Sequence, residues 1–341
     1  MSDGTQKKSE EKAIGQIKAN QQKLQPELLA KQLLSGDRNA LSQAITLVES
    51  TKPEHASLAA QVIQLCLPHS GKSIRVGITG VPGVGKSSFI DVFGSYLIEQ
   101  GKRVAVLAID PSSPISGGSI LGDKTRMDKL AANDKAFIRP SPSSQSLGGV
   151  ARKTRETILL CEAAGYDTII VETVGVGQSE TTVHGMTDFF LLLMLAGAGD
   201  QLQGIKRGIM EMCDAMLITK ADGDNATKAQ RAKSEYFSAL HLFPAKQSGW
   251  TPRVEVVSAQ EEKGIEQAWQ IIEDHEKWMK ERNLFEFNRQ AQDIHWMHET
   301  IKEELVGRFY SNQSVTEKMK SIEDEIKRGI ITPFEAAQRL L

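Results

Sequence analysis

The sequence predicts an α/β fold, a mostly parallel sheet flanked by helices, with helical segments before and after it. Three observations predict it. Short β-branched runs alternate with amphipathic segments through the middle of the chain. The first run leads straight into a Gly-rich loop and a helical pattern, and acidic residues stand just after later runs, where open α/β sheets bind ligands.

In chain order, residues 1–24 are rich in Lys, Gln, Glu and Ser and carry too few large apolar side chains to offset the entropy of ordering, which predicts a mobile tail. Residues 25–70 form an N-terminal helical extension. Leu28, Leu29, Leu33 and Leu34, then Leu41, Ala44, Ile45 and Val48, then Leu58, Ala59, Val62, Ile63 and Leu65 recur at helical spacing, interrupted by Gly36-Asp37 and Lys52-Pro53. Residues 71–283 hold the sheet. Its strands are expected at Ile74–Thr79, Arg103–Ile109, Ala136–Arg139, Thr168–Glu172, Phe189–Leu195, Ala215–Thr219 and Arg253–Val257. Helices are expected at Lys86–Glu99, Val150–Ala164, Ala226–Leu240 and Gly264–Lys280. Residues 284–341 are again helical: Phe287, Ala291, Ile294, His298, Ile301 and Leu305 form a seam, which suits either packing on the chain's own core or a dimer arm. Val315, Met319, Ile322 and Ile326 form a second stripe, and Thr332-Pro333-Phe334-Glu335 opens a last helix with a capping box.

Composition removes several classes. With 41 Lys plus Arg against 43 Asp plus Glu, no overall basic field draws the chain to nucleic acid or anionic lipid. Four tryptophans lie without a basic stripe, which argues against base stacking. The longest apolar stretch, Phe189 to Ala198, is about half the ~20 residues that a membrane helix needs. The polar N-terminus has no apolar signal core, so a cytoplasmic protein without membrane or nucleic-acid partners is expected. Cys66, Cys161 and Cys213 are far apart and set in apolar patterns, as reduced core thiols are.

The chemistry begins at Gly80-Val81-Pro82-Gly83-Val84-Gly85-Lys86-Ser87, with Ser88 following and the apolar Ile74, Val76 and Ile78 before it. This is the P-loop pattern of an NTPase. Its glycines let successive backbone N–H groups converge on a β-phosphate at the helix N-terminus. Lys86 supplies charge to the β- and γ-oxygens, and the Ser87 hydroxyl is a Mg²⁺ ligand. Hydrolysis also needs acids around the metal. Asp110 and Glu172 each end a strand; Asp123 lies in the intervening loop and is equally read as a loop residue. Glu172-Thr173-Val174-Gly175 has the form of a switch, since the Gly175 N–H can bond a γ-phosphate and release it after hydrolysis. No Gln follows Gly175 directly, and Gln178 reads as well as a helix-start residue.

Base selection is read at Thr219-Lys220-Ala221-Asp222, after the apolar strand. An Asp there accepts from guanine N1–H and N2–H₂, while the Lys stem covers the purine; adenine offers the wrong donors. Asn is usual at position 219, and the Thr hydroxyl is a shorter brace. Ser258-Ala259-Gln260 stands after the next strand and is expected to close over the base through backbone N–H groups.

With these residues in place, the chain from about residue 25 onward resembles the MeaB/ArgK/MMAA family of P-loop GTPases, accessory proteins (chaperones) of adenosylcobalamin-dependent methylmalonyl-CoA mutase. The segments GITGVPGVGKSS, AIDPSSPISGGSILGDKTRM, ETVGVGQSE, LLMLAGAGDQLQGIKRGIME and TKAD carry the resemblance, long loops included. Thr219 is the departure from the pattern. The resemblance implies a homodimer built partly by residues 284–341, and Mg²⁺-site acids at Asp110, Asp123 and Glu172. It also implies a partner-sensing switch over 197–206 with Asp200, Gln203 and Lys206 at its functional positions. By chemistry alone Lys206 is a solvated helix-start charge. The function so implied is Mg²⁺-dependent hydrolysis of GTP to GDP, gating cofactor loading or protection of a cobalamin-dependent acyl-CoA mutase. Two rivals remain at this point: a P-loop kinase or ATPase linked to amino-acid transport, and a regulatory module that binds GDP or GTP without hydrolysis.

Overall fold

The computed structural model describes residues 25–109, 127–140, 147–173, 179–197 and 207–341. The chain divides into two compact units, Met1–Phe285 and Glu286–Leu341.

The first unit opens with three helices, α1 (Pro26–Leu34), α2 (Arg38–Glu49) and α3 (Pro53–Cys66). Asp37 caps α2 by accepting from the Asn39 and Ala40 N–H groups. Of the apolar positions expected to face inward, Leu29, Leu33, Leu41, Ile45 and Val62 are buried, whereas Leu28 and Leu65 are exposed because each stands at the outer margin of its helix stripe. The sheet follows as β1 (Ile74–Gly80), β2 (Val104–Ile109), β3 (Ala136–Arg139), β4 (Thr168–Thr173), β5 (Phe189–Leu195), β6 (Ala215–Thr219) and β7 (Arg253–Val256). The seven strands lie in the order β3-β2-β4-β1-β5-β6-β7, every neighbouring pair parallel. All seven expected strands are present, with ends moved by a residue or so. β4 runs one residue past Glu172, and β1 runs on to Gly80.

Between the strands lie α4 (Lys86–Glu99), α5 (Asp128–Ala131), α6 (Leu147–Ala163), α7 (Ser179–His184), α8 (Arg207–Met212) and α9 (Ala226–Leu240), and α10 (Ile265–Glu281) follows β7. The short helices α5, α7 and α8 have too few turns to show a periodicity in sequence, which is why pattern reading passes over them. Phe89, Ile90, Phe93 and Leu97 bury one face of α4, and Phe89 stacks on Phe93 at 5.2 Å between ring centroids. Burying each such side chain contributes about 1.5–3 kcal/mol, so the helix that carries the phosphate loop is fixed by its own core face.

A recurring device holds the amino-terminal edge of the sheet. Asp167, Asp188 and Asp214 each stand directly before a strand and accept a backbone N–H at a neighbouring strand: Arg103 N at 3.1 Å, Arg75 N at 2.8 Å and Phe190 N at 2.9 Å. Glu162, at the end of α6, accepts from the Gly71 N–H at 2.8 Å, the Ser73 hydroxyl at 2.7 Å and the Arg75 guanidinium at 2.9 Å. Burial alone pushes the Glu162 carboxyl up, but Arg75, Ser73 and Gly71 outweigh it and hold the group below the usual carboxylate range. The linker from the helical extension is thereby tied to β1. The three cysteines are free and buried, as expected, and burial pushes the Cys66 thiol up to about 11 and Cys213 up to about 12.

In the second unit, residues 286–311 of α11 (Leu284–Ser311) are followed by α12 (Gln313–Lys327) and α13 (Pro333–Leu340). Ile322, Ile331 and Ala336 form a small core between α12 and α13. The Thr332 hydroxyl accepts from Glu335 N at 3.2 Å, while the Glu335 carboxylate pairs with Arg339 instead of closing the box. Phe287, Ile294, Ile301 and Leu305 of the seam are exposed. Among the described residues no helix is long and apolar enough to cross a membrane.

Candidate functional site

β1 delivers the chain to Gly80 at the carboxyl edge of the sheet. Here the backbone of β1 passes so close to β5 that a Cβ on Gly80 would lie 2.6 Å from the Leu193 carbonyl oxygen, with φ at +157°. No other residue fits without moving β5. The loop then turns through Gly85, whose φ of +95° precedes the first turn of α4. Lys86 folds back over this turn and donates from Nζ to the Gly80 carbonyl at 2.7 Å. Burial lowers its pKa, and the nearby carboxylates of Glu172 and Glu180 oppose that shift by favouring the charged ammonium.

Beside it, the Ser87 hydroxyl lies 3.4 Å from Glu172 Oε1, and Glu172 is buried at the end of β4. A hydroxyl and a carboxylate at this spacing are the hard oxygen donors that suit Mg²⁺, an ion that retains several waters and takes few protein ligands. Beneath them Thr173 and Thr79 join β4 to β1 through a buried hydroxyl pair at 2.8 Å. These groups face a cavity of about 500 Å³ lined by Gly83, Lys86, Ser87, Ala108, Glu172 and Lys220. Pro82, Gly85 and Ser88 also line it, so the P-loop and the start of the base-reading segment share one cleft. Val81 packs against the core, and Val84 is buried in it.

The base-reading segment is braced from two sides. Thr219 Oγ1 donates towards the Val84 carbonyl at 2.7 Å and the Met194 carbonyl at 3.1 Å, so the hydroxyl at this position does reach the P-loop. Lys220 adopts φ of +56°, a left-handed conformation that costs a non-Gly residue about 1–2 kcal/mol. Asn225 Nδ2 holds it there by donating to the Lys220 carbonyl at 2.7 Å. Its stem runs beside the P-loop, with Cε 3.9 Å from where a Cβ on Gly85 would be.

Ser258 Oγ donates to Asp222 Oδ2 at 2.6 Å, which orients the carboxylate. The sequence pointed to this serine for its backbone N–H, but that group is spent on the Lys263 carbonyl at 3.0 Å. The side chain meets Asp222 instead, which leaves Ala259 and Gln260 as the residues still expected to offer backbone N–H groups.

Asp110, Asp123, Gly175, Asp200, Gln203 and Lys206 lie outside the described residues. Among the described residues no three His, Cys, Asp or Glu side chains stand together as a metal-binding group. Sequence reasoning missed Glu180, Thr79 and the Thr173 hydroxyl. A threonine inside an apolar strand reads as a core-compatible residue, and Glu180 comes to the site only because α7 folds back along β1.

Known proteins share this arrangement at length. A family model described as "Methylmalonyl Co-A mutase-associated GTPase MeaB" matches residues 41–314. A probable GTPase of Mycobacterium tuberculosis is 48% identical over 92% of this chain and 93% of its own. GTPase ArgK of Escherichia coli is 46% identical over 91% of this chain and 94% of its own. The mitochondrial methylmalonic aciduria type A homolog of Mus musculus is 46% identical over 91% of this chain and 77% of its own. A crystal structure described as an LAO/AO transport system kinase superposes with a TM-score of 0.73 at 39% identity, covering 92% of this chain and 96% of the other. A phosphate loop, a strand-end carboxylate beside its serine and a braced Lys-Ala-Asp segment thus sit in a sequence matched almost end to end by these relatives, and the chain belongs to the MeaB family of P-loop GTPases.

Proposed function

We propose that this GTPase binds Mg²⁺·GTP in the cleft above β1 and that its nucleotide state gates cofactor loading or protection of a cobalamin-dependent acyl-CoA mutase. The observation that carries the guanine reading is the Ser258 to Asp222 hydrogen bond at 2.6 Å, which presents a fixed carboxylate at the same sheet edge as the P-loop. Asp222 accepts from guanine N1–H and N2–H₂, Lys220 covers the ring, and Thr219 keeps both at a set distance from the phosphate loop. Lys86 leaves the Gly80 carbonyl for the β- and γ-phosphate oxygens and holds positive charge where negative charge develops. Ser87 and Glu172 hold the metal, directly or through its waters; Mg²⁺ neutralises phosphate charge when bound. Asp110 and Asp123 complete this acidic set, Gly175 contacts the γ-phosphate, and Asp200, Gln203 and Lys206 form the partner-sensing switch. Catalysis here is positioning and electrostatics, so hydrolysis is slow until a partner orders these groups.

Support for the mutase as partner comes from the family description and from the name of the mouse relative. The exposed stripe of Phe287, Ile294, Ile301 and Leu305 supports a homodimer through the C-terminal helices. Single-turnover hydrolysis of GTP with and without a methylmalonyl-CoA mutase tests the gating: stimulation by the mutase is expected, and equal rates would overturn it. A kinase or ATPase reading draws on the description of the superposed transport-system structure. It requires preference for ATP that survives Asp222→Asn, whereas the guanine reading requires GTP to outcompete ATP.

A further inference from the structure

Among the described residues, Glu180 is a charged group that its surroundings leave incomplete. It lies in the first turn of α7, is 2% exposed, and its Oε2 is buried with no hydrogen-bond partner among the described residues. Its neighbour Ser179 is wholly buried, and its Oγ also has no partner among those residues. A buried carboxylate left incomplete is costly unless some compensating charge or donor is close by.

The path of the chain says where that carboxylate points. After β4 ends at the carboxyl edge of the sheet, α7 descends along β1. Val183 Cγ1 lies 2.8 Å from where a Cβ on Gly77 would be, and Asp188 N donates to the Arg75 carbonyl at 2.8 Å near the amino-terminal end of β1. Glu180 precedes Val183 by three residues, so it shares that helix face and sits about 4.5 Å higher. Two residues up β1 from Gly77 is Thr79, about 6.6 Å higher on the same face of the sheet. Glu180 therefore starts about 2 Å below the level of Thr79, and a helical side chain leans towards the helix N-terminus, here towards Gly80, the residue whose carbonyl holds Lys86 Nζ. The Lys86 ammonium feels it, as it feels Glu172. Two carboxylates, not one, stand behind the phosphate loop.

Resting on the Mg²⁺·GTP reading above, we propose that Glu180 is a positioning residue of the nucleotide site, a buried carboxylate that couples Mg²⁺ to nucleotide binding by accepting a hydrogen bond from a water of the metal's shell. Without the metal its charge only repels the incoming phosphates through a low-dielectric path. With the metal it gains the donor it lacks and a favourable charge. The same group thus weakens metal-free binding and strengthens metal-bound binding, and by linkage the two effects appear as one coupling between Mg²⁺ and nucleotide.

The test measures GDP affinity by calorimetry, with Mg²⁺ and with EDTA, for the full chain and for Glu180→Gln and Glu180→Ala, alongside the thermal midpoint of each nucleotide-free protein. The expected result for Glu180→Gln is tighter binding in EDTA and a coupling, the ratio of the two affinities, reduced about tenfold, a change that a charge at this range produces. Its nucleotide-free thermal midpoint is expected to be equal or higher, because a buried charge without a full set of partners has been neutralised. Coupling within twofold of the parent in both variants overturns the proposal. So does a loss of folded protein in both, since the carboxylate would then serve the fold. A parent chain that binds GDP without responding to Mg²⁺ overturns the metal reading itself, an outcome seen before any variant is compared.

Discussion

The two edges of the parallel sheet carry similar chemistry and opposite bookkeeping of charge. At the amino-terminal edge, Glu162 meets three donors within 3 Å, and Asp214 meets Phe190 N and the Lys246 ammonium. Such charges are satisfied within the fold and add rigidity. At the carboxyl edge, Lys86 leans on a backbone carbonyl, Ser87 and Glu172 touch at a long 3.4 Å, and Glu180 keeps an oxygen without a donor among the described residues. Among the described residues, one edge is finished by the chain, and the other presents groups that a ligand can complete. The contrast explains why the parallel fold concentrates function at one side: strand ends at that edge open into loops, whereas at the amino edge an Asp before each of three strands closes the gap to its neighbour.

Breaking the finished edge should have the largest effect on stability. Glu162→Gln leaves the Arg75 guanidinium, 13% exposed, without its charge partner, and a loss of about 3 kcal/mol is expected in denaturant unfolding. GDP affinity should stay unchanged. The pH dependence has a definite sign. Because the folded-state pKa of Glu162 lies below its ordinary value of 4.5, its contribution is fully present above that pH and is lost as the pH falls through the lower folded value. Unfolding curves between neutral pH and pH 3 should therefore steepen in the parent relative to Glu162→Gln.

At the unfinished edge the effects appear in chemistry. Lys86→Ala should slow single-turnover GTP hydrolysis about 10²–10³-fold, the range for loss of one preorganised donor, with the thermal midpoint of the nucleotide-free protein little changed. Asp222→Asn removes a charged acceptor and should weaken GTP binding about 10–100-fold while leaving ATP binding unaltered, measured by competition. Smallest is Thr219→Val. It leaves the buried Val84 carbonyl without that donor, at about 1–2 kcal/mol, and should lower stability and GDP affinity together, because this hydroxyl joins the end of β6 to the phosphate loop. If it lowered stability without affecting affinity, the brace would belong with the finished edge.

Much of this was legible in the residues. The β-branched runs marked all seven strands, because a parallel sheet buried on both faces demands near-continuous apolar segments, and the spacing of Gly80, Gly83 and Gly85 before Lys86 announced a phosphate loop. Thr219 was read as a shorter brace and reaches Val84. The helices α5, α7 and α8 escaped notice because one to two turns carry no period. Ser258 was singled out for the wrong atom, since whether a serine offers its backbone or its hydroxyl depends on which neighbour takes the N–H, here Lys263.

By itself, the sequence determined the alternation of strand and helix, the phosphate-loop pattern and the Lys-Ala-Asp segment at the end of β6, because each rests on contacts among residues a few positions apart. The tertiary structure alone decided which charges complete one another. Glu162 finds Arg75 across 87 positions, Ser258 finds Asp222 across 36, and the Glu180 carboxylate comes within electrostatic reach of Lys86. Such pairings depend on strand order and helix direction, which local propensity does not encode, and they separate the edge of the sheet that holds the protein together from the edge that awaits its ligand.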